Sequence, residues 1–239
     1  MVDVHTHCLP FLDDGAKSVP ESLSIFAAQL AQGVDTVVAT PHFYAERMDV
    51  PSFLERRASS LAAVQEAAQQ QGVPLPRIIL GAEVRIAPDL SQLEGLDALC
   101  AEGTNSILLE LPYFNWHAPW IYDEIYAVIA RQNLRPVIAH LERYIEKKSE
   151  IAAFEKLFLM ETAIQVNAES VLDRHSKKVV DALMQNGHVQ VIGSDCHNLT
   201  TRKPCLFSAM QQVEKRYGNA ARQQLLKNAE ALFCTENER

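Results

Sequence analysis

The stretch Val2–Asp14, VDVHTHCLPFLDD, sets two histidines one residue apart at the end of an apolar run and two aspartates just beyond. Side chains two residues apart on a strand lie on one face. His5 and His7 therefore reach toward one point, with Asp13 and Asp14 in the loop that follows. Two imidazoles and a nearby carboxylate are good ligands for a divalent metal. A pair of hydrogen-bonded histidines on a sheet fits the same residues equally well, so the rest of the chain has to decide.

Outward from this stretch, short apolar runs alternate with helical patterns. Strands are expected at 2–7, 36–40, 77–83, 106–111, 135–140, 163–167 and 189–194. Continuous apolar runs such as TVVAT, SILLEL and PVIAH suit parallel strands covered on both faces. In PESLSIFAAQLAQG, Leu23, Phe26, Ala27 and Leu30 share a helical face, with Ser18 and Pro20 near the start and Gly33 at the end. PSFLERRASSLAAVQEAAQQQG repeats that logic, from a Pro-Ser start to a stop at Gly72. Seven β/α units in strict alternation predict an α/β fold with a parallel sheet, open or closed.

The ionisable residues gather at strand ends. The first strand ends in His5 and His7, the second runs into His42, the third ends at Glu83, the fourth at Glu110 and the fifth at His140. The seventh runs into GSDCH with Asp195 and His197, and the sixth supplies only Asn167. Ionisable groups buried after apolar strands are costly unless paired or bound to metal, and parallel α/β folds build their sites at the C-terminal strand ends. Six such ends among seven strands turn the balance toward a shared metal site.

Composition narrows the class. The 239 residues carry 48% hydrophobic and 22% charged side chains, ordinary for a soluble enzyme of one domain spanning 1–239. A net charge of −8 and a pI near 5.5 argue against nucleic-acid binding. No apolar run approaches a membrane span, and the candidate site begins as early as His5, leaving little room for a cleaved leader. Five cysteines without a repeating framework suit reduced thiols in the cytoplasm.

Taken together, DVHTH, DDGAKS, ATPH, GAE, LELP, AHLERY and SDCHN resemble the polymerase-and-histidinol-phosphatase (PHP) superfamily. More narrowly, they resemble the bacterial PHP-type protein tyrosine phosphatases linked to capsule and exopolysaccharide synthesis. That resemblance implies a distorted TIM-like barrel of seven β/α units and a trinuclear metal cluster. A first ion would be held by His5, His7, Glu83 and Asp195, a second by Glu83, Glu110 and His140, and a third by Asp14, His42 and His197. Asp13 could replace Asp14, since spacing does not separate adjacent loop residues. Arg143 and Arg202 match phosphate-binding arginines of the family. Manganese is the expected metal, although a histidine–carboxylate set also accepts iron or zinc. The implied partner is a phosphotyrosine protein, a bacterial tyrosine kinase with a tyrosine-rich tail; assembly of the chain with its own copies is left open.

Three divalent ions against four ionised carboxylates leave a formal excess of about +2, which suits a phosphate ester dianion. The expected reaction is attack on phosphorus by metal-activated water with no phosphoenzyme, the two arginines gripping the transferring oxygens. A tyrosine leaving group departs more easily than an alkoxide, so no dedicated general acid is required; a metal-bound water or Asp14 is the candidate if one acts. CHNLTTR places Cys196 and Arg202 at the spacing of cysteine-dependent phosphatases, but it lacks their glycines and includes His197, so the thiol is not expected to react. Tyr44, Arg47, Phe114, Trp116 and His117 are candidates for an entrance rim, with loop packing as the alternative. His175, His188 and Cys8 are expected to be structural or solvated. Competing readings are a small-molecule phosphatase acting on histidinol phosphate or a nucleotide, an inactive metal-binding platform, and an amidohydrolase, for which no strand end supplies the lysine.

Overall fold

The computed structural model describes residues 1–235. Its strands are β1 (Val2–Thr6), β2 (Thr36–Ala39), β3 (His42–Phe43), β4 (Arg77–Leu80), β5 (Glu83–Arg85), β6 (Ser106–Glu110), β7 (Arg135–Ile138), β8 (Ala163–Asn167) and β9 (Val191–Gly193). All pairings are parallel: β1, β2 and β4 form one run, and β3, β5, β6, β7, β8 and β9 form another. A parallel bridge joins Thr6 to Cys196, and the Asp195 and His7 amides donate to His5 O and Cys196 O at 2.8 Å. The sheet therefore curls back toward its first strand.

Each expected strand has an element inside its bounds, but the alternation is less regular than predicted. The run 77–83 breaks at Gly81, whose carbonyl turns outward to accept from the buried Arg57 guanidinium. After β5 two single 3₁₀ turns, Leu90–Gln92 and Leu96–Leu99, replace an α-helix. Pro88 and Gly95 (φ +78°) leave no uninterrupted stretch long enough for one.

The helices are α1 (Val19–Leu30), α2 (Val50–Gln71), α3 (Pro119–Gln132), α4 (Glu155–Leu159), α5 (Ala168–Leu172), α6 (Lys177–Gln185), α7 (Leu206–Tyr217) and α8 (Asn219–Phe233). Ser18 caps α1 by accepting from the Glu21 amide, and Gly72 (φ +63°) ends α2, as the sequence predicts. The buried face of α1 is not the predicted one. It comprises Ser22, Ile25, Phe26 and Gln29, while Ala27 is exposed and Leu23 and Leu30 are half-buried. Hydrogen bonds overrule hydropathy here: Ser22 donates to Cys8 O, and Gln29 donates to Asp3 Oδ2 at 3.3 Å.

One irregularity in β1 positions the site. The register against β2 slips between Asp3 and Thr6, a β-bulge. A regular strand would put Asp3 and His5 on one face. Instead Asp3 turns to Gln29 of α1, and His5 turns inward to Gln165 of β8. Bulges re-aim side chains in this way beside active sites. Gly193 allows the close approach of β9, since a Cβ there would lie 2.7 Å from His5 Cβ.

Beneath the polar strand ends lies an apolar floor. Val2, Val38, Leu108, Val137, Ala163 and Val191 pack with Leu232 and Phe233 of α8. Leu232 and Phe233 are 3% and 1% exposed, and each such burial stabilises by roughly 1.5–3 kcal/mol. Among the described residues no helix is long and apolar enough to cross a membrane.

Candidate metal centre

Glu83, at the start of β5, is the hub. Its Oε2 lies 3.2 Å from His5 Nε2, 3.2 Å from His7 Nε2 and 3.0 Å from His42 Nδ1, and its Oε1 lies 2.8 Å from His140 Nε2. Asp195 Oδ1 adds a second carboxylate, 3.5 Å from His5 Nε2 and 3.6 Å from His7 Nε2. Glu110, at the end of β6, stands 3.8 Å from His140. On the outer side Asp14 Oδ1 faces His42 Nε2 at 3.5 Å and His197 Nε2 at 3.3 Å. All nine residues singled out as ligands thus fall into one contiguous cluster.

Backbone geometry aims several of them. His140 (φ +34°) and Asp195 (φ +52°) sit in the left-handed region that non-glycine residues seldom occupy. Each is held there by its own amide, donated to Gln165 Oε1 at 2.7 Å and to His5 O at 2.8 Å respectively. Glycine is needed at position 15, where a Cβ would lie 2.2 Å from His7 O.

Donor atoms of the right chemistry converge, and apart from the His140–Glu83 contact most of them do not satisfy one another. Three overlapping groups have ligand atoms within 4.8 Å: His7, Asp14, His42 and His197; His5, His7 and Glu83; His42, Glu83 and Glu110. The buried atoms Glu83 Oε2, His42 Nδ1 and His197 Nε2 have no hydrogen bond of acceptable angle. Orphaned buried acceptors are expensive unless something else pairs with them. A divalent cation fits this set, because mixed imidazole and carboxylate donors suit manganese, iron or zinc. The local field agrees. Burial opposes charge on His5 and His7, yet Glu83, Asp195 and Asp13 outweigh it and raise both pKa values. His197 is pulled down to about 3 by burial and by the neighbouring His7, so its lone pair stays free.

The two adjacent aspartates divide the work. Asp13 Oδ2 accepts from His7 Nδ1 at 2.6 Å and from the His42 amide at 2.9 Å, and Oδ1 accepts from the Gly15 amide at 2.8 Å. Burial alone would raise its pKa, but His7 and these donors hold it well below the usual carboxylate range. Asp13 orients His7 Nε2 toward the cluster, leaving Asp14, which faces His42, His197 and Arg202 at 3.3–3.6 Å, as the loop carboxylate turned to the outer ligands.

Gln165 and Glu142 escape sequence reasoning, and Asn167, noted there only as the end of the sixth strand, proves to brace the cluster. Gln165 Oε1 faces His5 Nδ1 at 3.2 Å and holds the His140 amide. Asn167 donates from Nδ2 to Asp195 Oδ2 at 2.8 Å, and its own amide donates to the buried Glu142 at 3.0 Å. Gln165 and Asn167 alternate along β8, so period-two polarity in AIQVN was the available signal.

Both candidate arginines reach Asp195: Arg143 Nη1 lies 3.1 Å from Oδ2, and Arg202 Nη2 lies 2.6 Å from Oδ1. They flank a polar cavity of about 240 Å³ that Asn167 and Ser194 also line. Cys196 is fully buried, and burial pushes its thiol pKa well up, which suits a structural residue. Among the rim candidates, Tyr44 stacks on His42 with centroids 5.3 Å apart, whereas Trp116 stacks on Phe154 at 4.2 Å as part of the packing. Phe114 and His117 are exposed. His175 is solvated, and His188 stacks on Phe158.

A family model described as capsular polysaccharide synthesis, CpsB/CapC, matches residues 1–234. The tyrosine-protein phosphatase YwqE of Bacillus subtilis (strain 168) is 30% identical, the match covering 98% of this chain and 91% of that protein. The tyrosine-protein phosphatase CpsB of Streptococcus pneumoniae is also 30% identical, over 91% of each. The structure superposes with a TM-score of 0.82 and 26% identity, over 98% of this chain and 94% of the other, on one described under crystal structures of YwqE and CpsB, unique metal-dependent tyrosine phosphatases. A β-aspartyl dipeptidase of Fervidobacterium islandicum shares the fold alone, with a TM-score of 0.56 at 14% identity.

Proposed function

Since the chain belongs to the capsular polysaccharide synthesis family CpsB/CapC, we propose that it is a metal-dependent phosphatase of protein phosphotyrosine. The observation that carries the reading is the convergence of four histidines on the buried carboxylate of Glu83. In this reading the curled sheet is a distorted barrel of seven β/α units, and residues 1–239 are one cytoplasmic domain. Its substrate is a capsule-related tyrosine kinase bearing phosphotyrosine.

The site would hold three divalent ions, most simply manganese. His5, His7, Glu83 and Asp195 would take one, Glu83, Glu110 and His140 another, and Asp14, His42 and His197 the third. Metals held by these residues would lower the pKa of water and neutralise charge on the transferring oxygens.

The protein's own groups do the rest. Asp13 and Gln165 lock the tautomers of His7 and His5, so that each Nε2 presents a lone pair to the centre. Arg143 and Arg202 stand on one side of Asp195 with guanidinium groups partly exposed. There they can trade a carboxylate contact for bidentate contacts to phosphate oxygens. Tyrosinate is a good leaving group and departs without a dedicated general acid, so Asp14, facing His197 at 3.3 Å, is needed only as a ligand.

The test compares phosphate release from a phosphotyrosine peptide, histidinol phosphate and a nucleotide by manganese-loaded protein. Preference for the peptide, lost on chelation, is expected. Preference for histidinol phosphate or the nucleotide would overturn the reading in favour of a small-molecule phosphatase, and turnover of none would favour a binding platform.

A further inference from the structure

We propose that the cavity beside the metal cluster is a subsite for a peptide carboxylate, so that the preferred phosphotyrosine stands next to an aspartate or glutamate. The inference rests on the phosphotyrosine reading above and concerns the neighbouring residues of the substrate, not its phosphate.

The cavity, about 420 Å³, lies between the loop after β1, the segment that follows β3 and the first turns of α2. It shares Asp14 and His42 with the cluster, so a substrate whose phosphate sits there extends into it. Its size falls in the range that encloses a drug-sized ligand, roughly 300–1,000 Å³, more than one phenol ring requires. Leu12, Phe43, Met48 and Phe53 make an apolar surface for that ring.

Charge on the wall away from the metals is cationic. Arg47 lies with its guanidinium carbon 4.8 Å from the Tyr44 ring centroid. Arg56 donates to Phe11 O at 3.1 Å. Both line the cavity and both are exposed, and neither has a carboxylate partner among the described residues. Arg85 offers the contrast: it lies 4.4 Å from the same Tyr44 centroid but is paired with Glu46. The two acids on the metal side are engaged by histidines, Asp13 by His7 and Asp14 by His42 and His197.

Two unpaired arginines at one mouth stand out in a chain with 30 acidic and 22 basic residues. A guanidinium held by a ring face or a backbone carbonyl keeps donors free for a carboxylate. Against a net charge of −8, guanidinium groups without a carboxylate partner give an acidic peptide a local site of favourable charge.

The experiment uses the full chain loaded with manganese and three phosphotyrosine peptides that differ only in flanking Glu, Gln or Lys. The wild type should favour the Glu over the Lys peptide by roughly five- to ten-fold in kcat/KM, mostly through KM. Arg47→Glu combined with Arg56→Glu should reverse the order. The milder pair Arg47→Gln and Arg56→Gln should bring the ratio near unity, and bound metal and thermal unfolding identify a variant that has lost its fold. A Glu-to-Lys ratio that stays the same in folded variants overturns the subsite while leaving phosphotyrosine hydrolysis intact. A wild type that hydrolyses none of the three peptides overturns the functional reading itself.

Discussion

Asp13 and Asp14 are neighbours in one loop, yet the Asp13 side chain is 6% exposed and carries three donors, whereas Asp14 is 62% exposed and faces two histidines. The same division runs through the whole cluster. On the deep side, His5, His7, Glu83, His140 and Asp195 are buried, and Asp13, Gln165 and Asn167 fix their orientation. On the outer side, Asp14, Arg143 and Arg202 touch their partners from partly exposed positions. The buried half is positioned at the cost of any freedom, because an unpaired charge there would be expensive. The outer half can exchange protein contacts for substrate contacts.

That contrast sets an order of effects. Removing metal with a chelator should abolish phosphate release, and added manganese should restore it; activity that survives complete metal removal would end the metal reading. Glu83→Gln keeps the volume but removes the charge on which four histidines converge. A loss of about 10³-fold or more in kcat/KM, with loss of bound metal, is expected. Near-normal metal content in that variant would show that the hub is not Glu83.

One step outward, Asp13→Asn keeps the shape but weakens the hold on His7. It should cost about 10–100-fold in metal affinity or activity, measured by metal titration beside kinetics. Equal loss from Asp14→Asn and Asp13→Asn would blur the division between the two aspartates. At the rim, Arg202→Lys keeps the charge but loses the planar fork, and a rise in KM of about ten-fold is expected. A fall in kcat with KM unchanged would move Arg202 from substrate binding to the chemical step. Smallest of all, Cys196→Ser should keep its activity and lose about 1 kcal/mol of stability by thermal unfolding. Loss of activity in a folded Cys196→Ser variant would reopen the thiol mechanism.

The parts of the site that follow from strand position were legible from the residues alone. Parallel strands deliver their C-terminal ends to one side, so His42, Glu83, Glu110, His140 and Asp195 could be grouped without coordinates. The hydropathy of α1 misled, because Ser22 and Gln29 are buried through partners in distant segments, Cys8 and Asp3. The pairing of His5 with His7 was anticipated on a regular strand. The structure reaches it through a bulge that turns Asp3 and His5 to opposite faces.

Sequence by itself determined which chemical groups this protein has, and that alternating apolar runs and helical stretches would carry them to the ends of a parallel sheet. Only the tertiary structure decided which aspartate is locked and which is open, that Gln165 and Asn167 brace the cluster, and that Cys196 lies out of reach of solvent. The physical reason is range. Periodicity and turn residues act over a few neighbours, whereas burial, hydrogen-bond partners and local field are set by segments far apart in the chain, as His5 and Gln165 are at 160 positions.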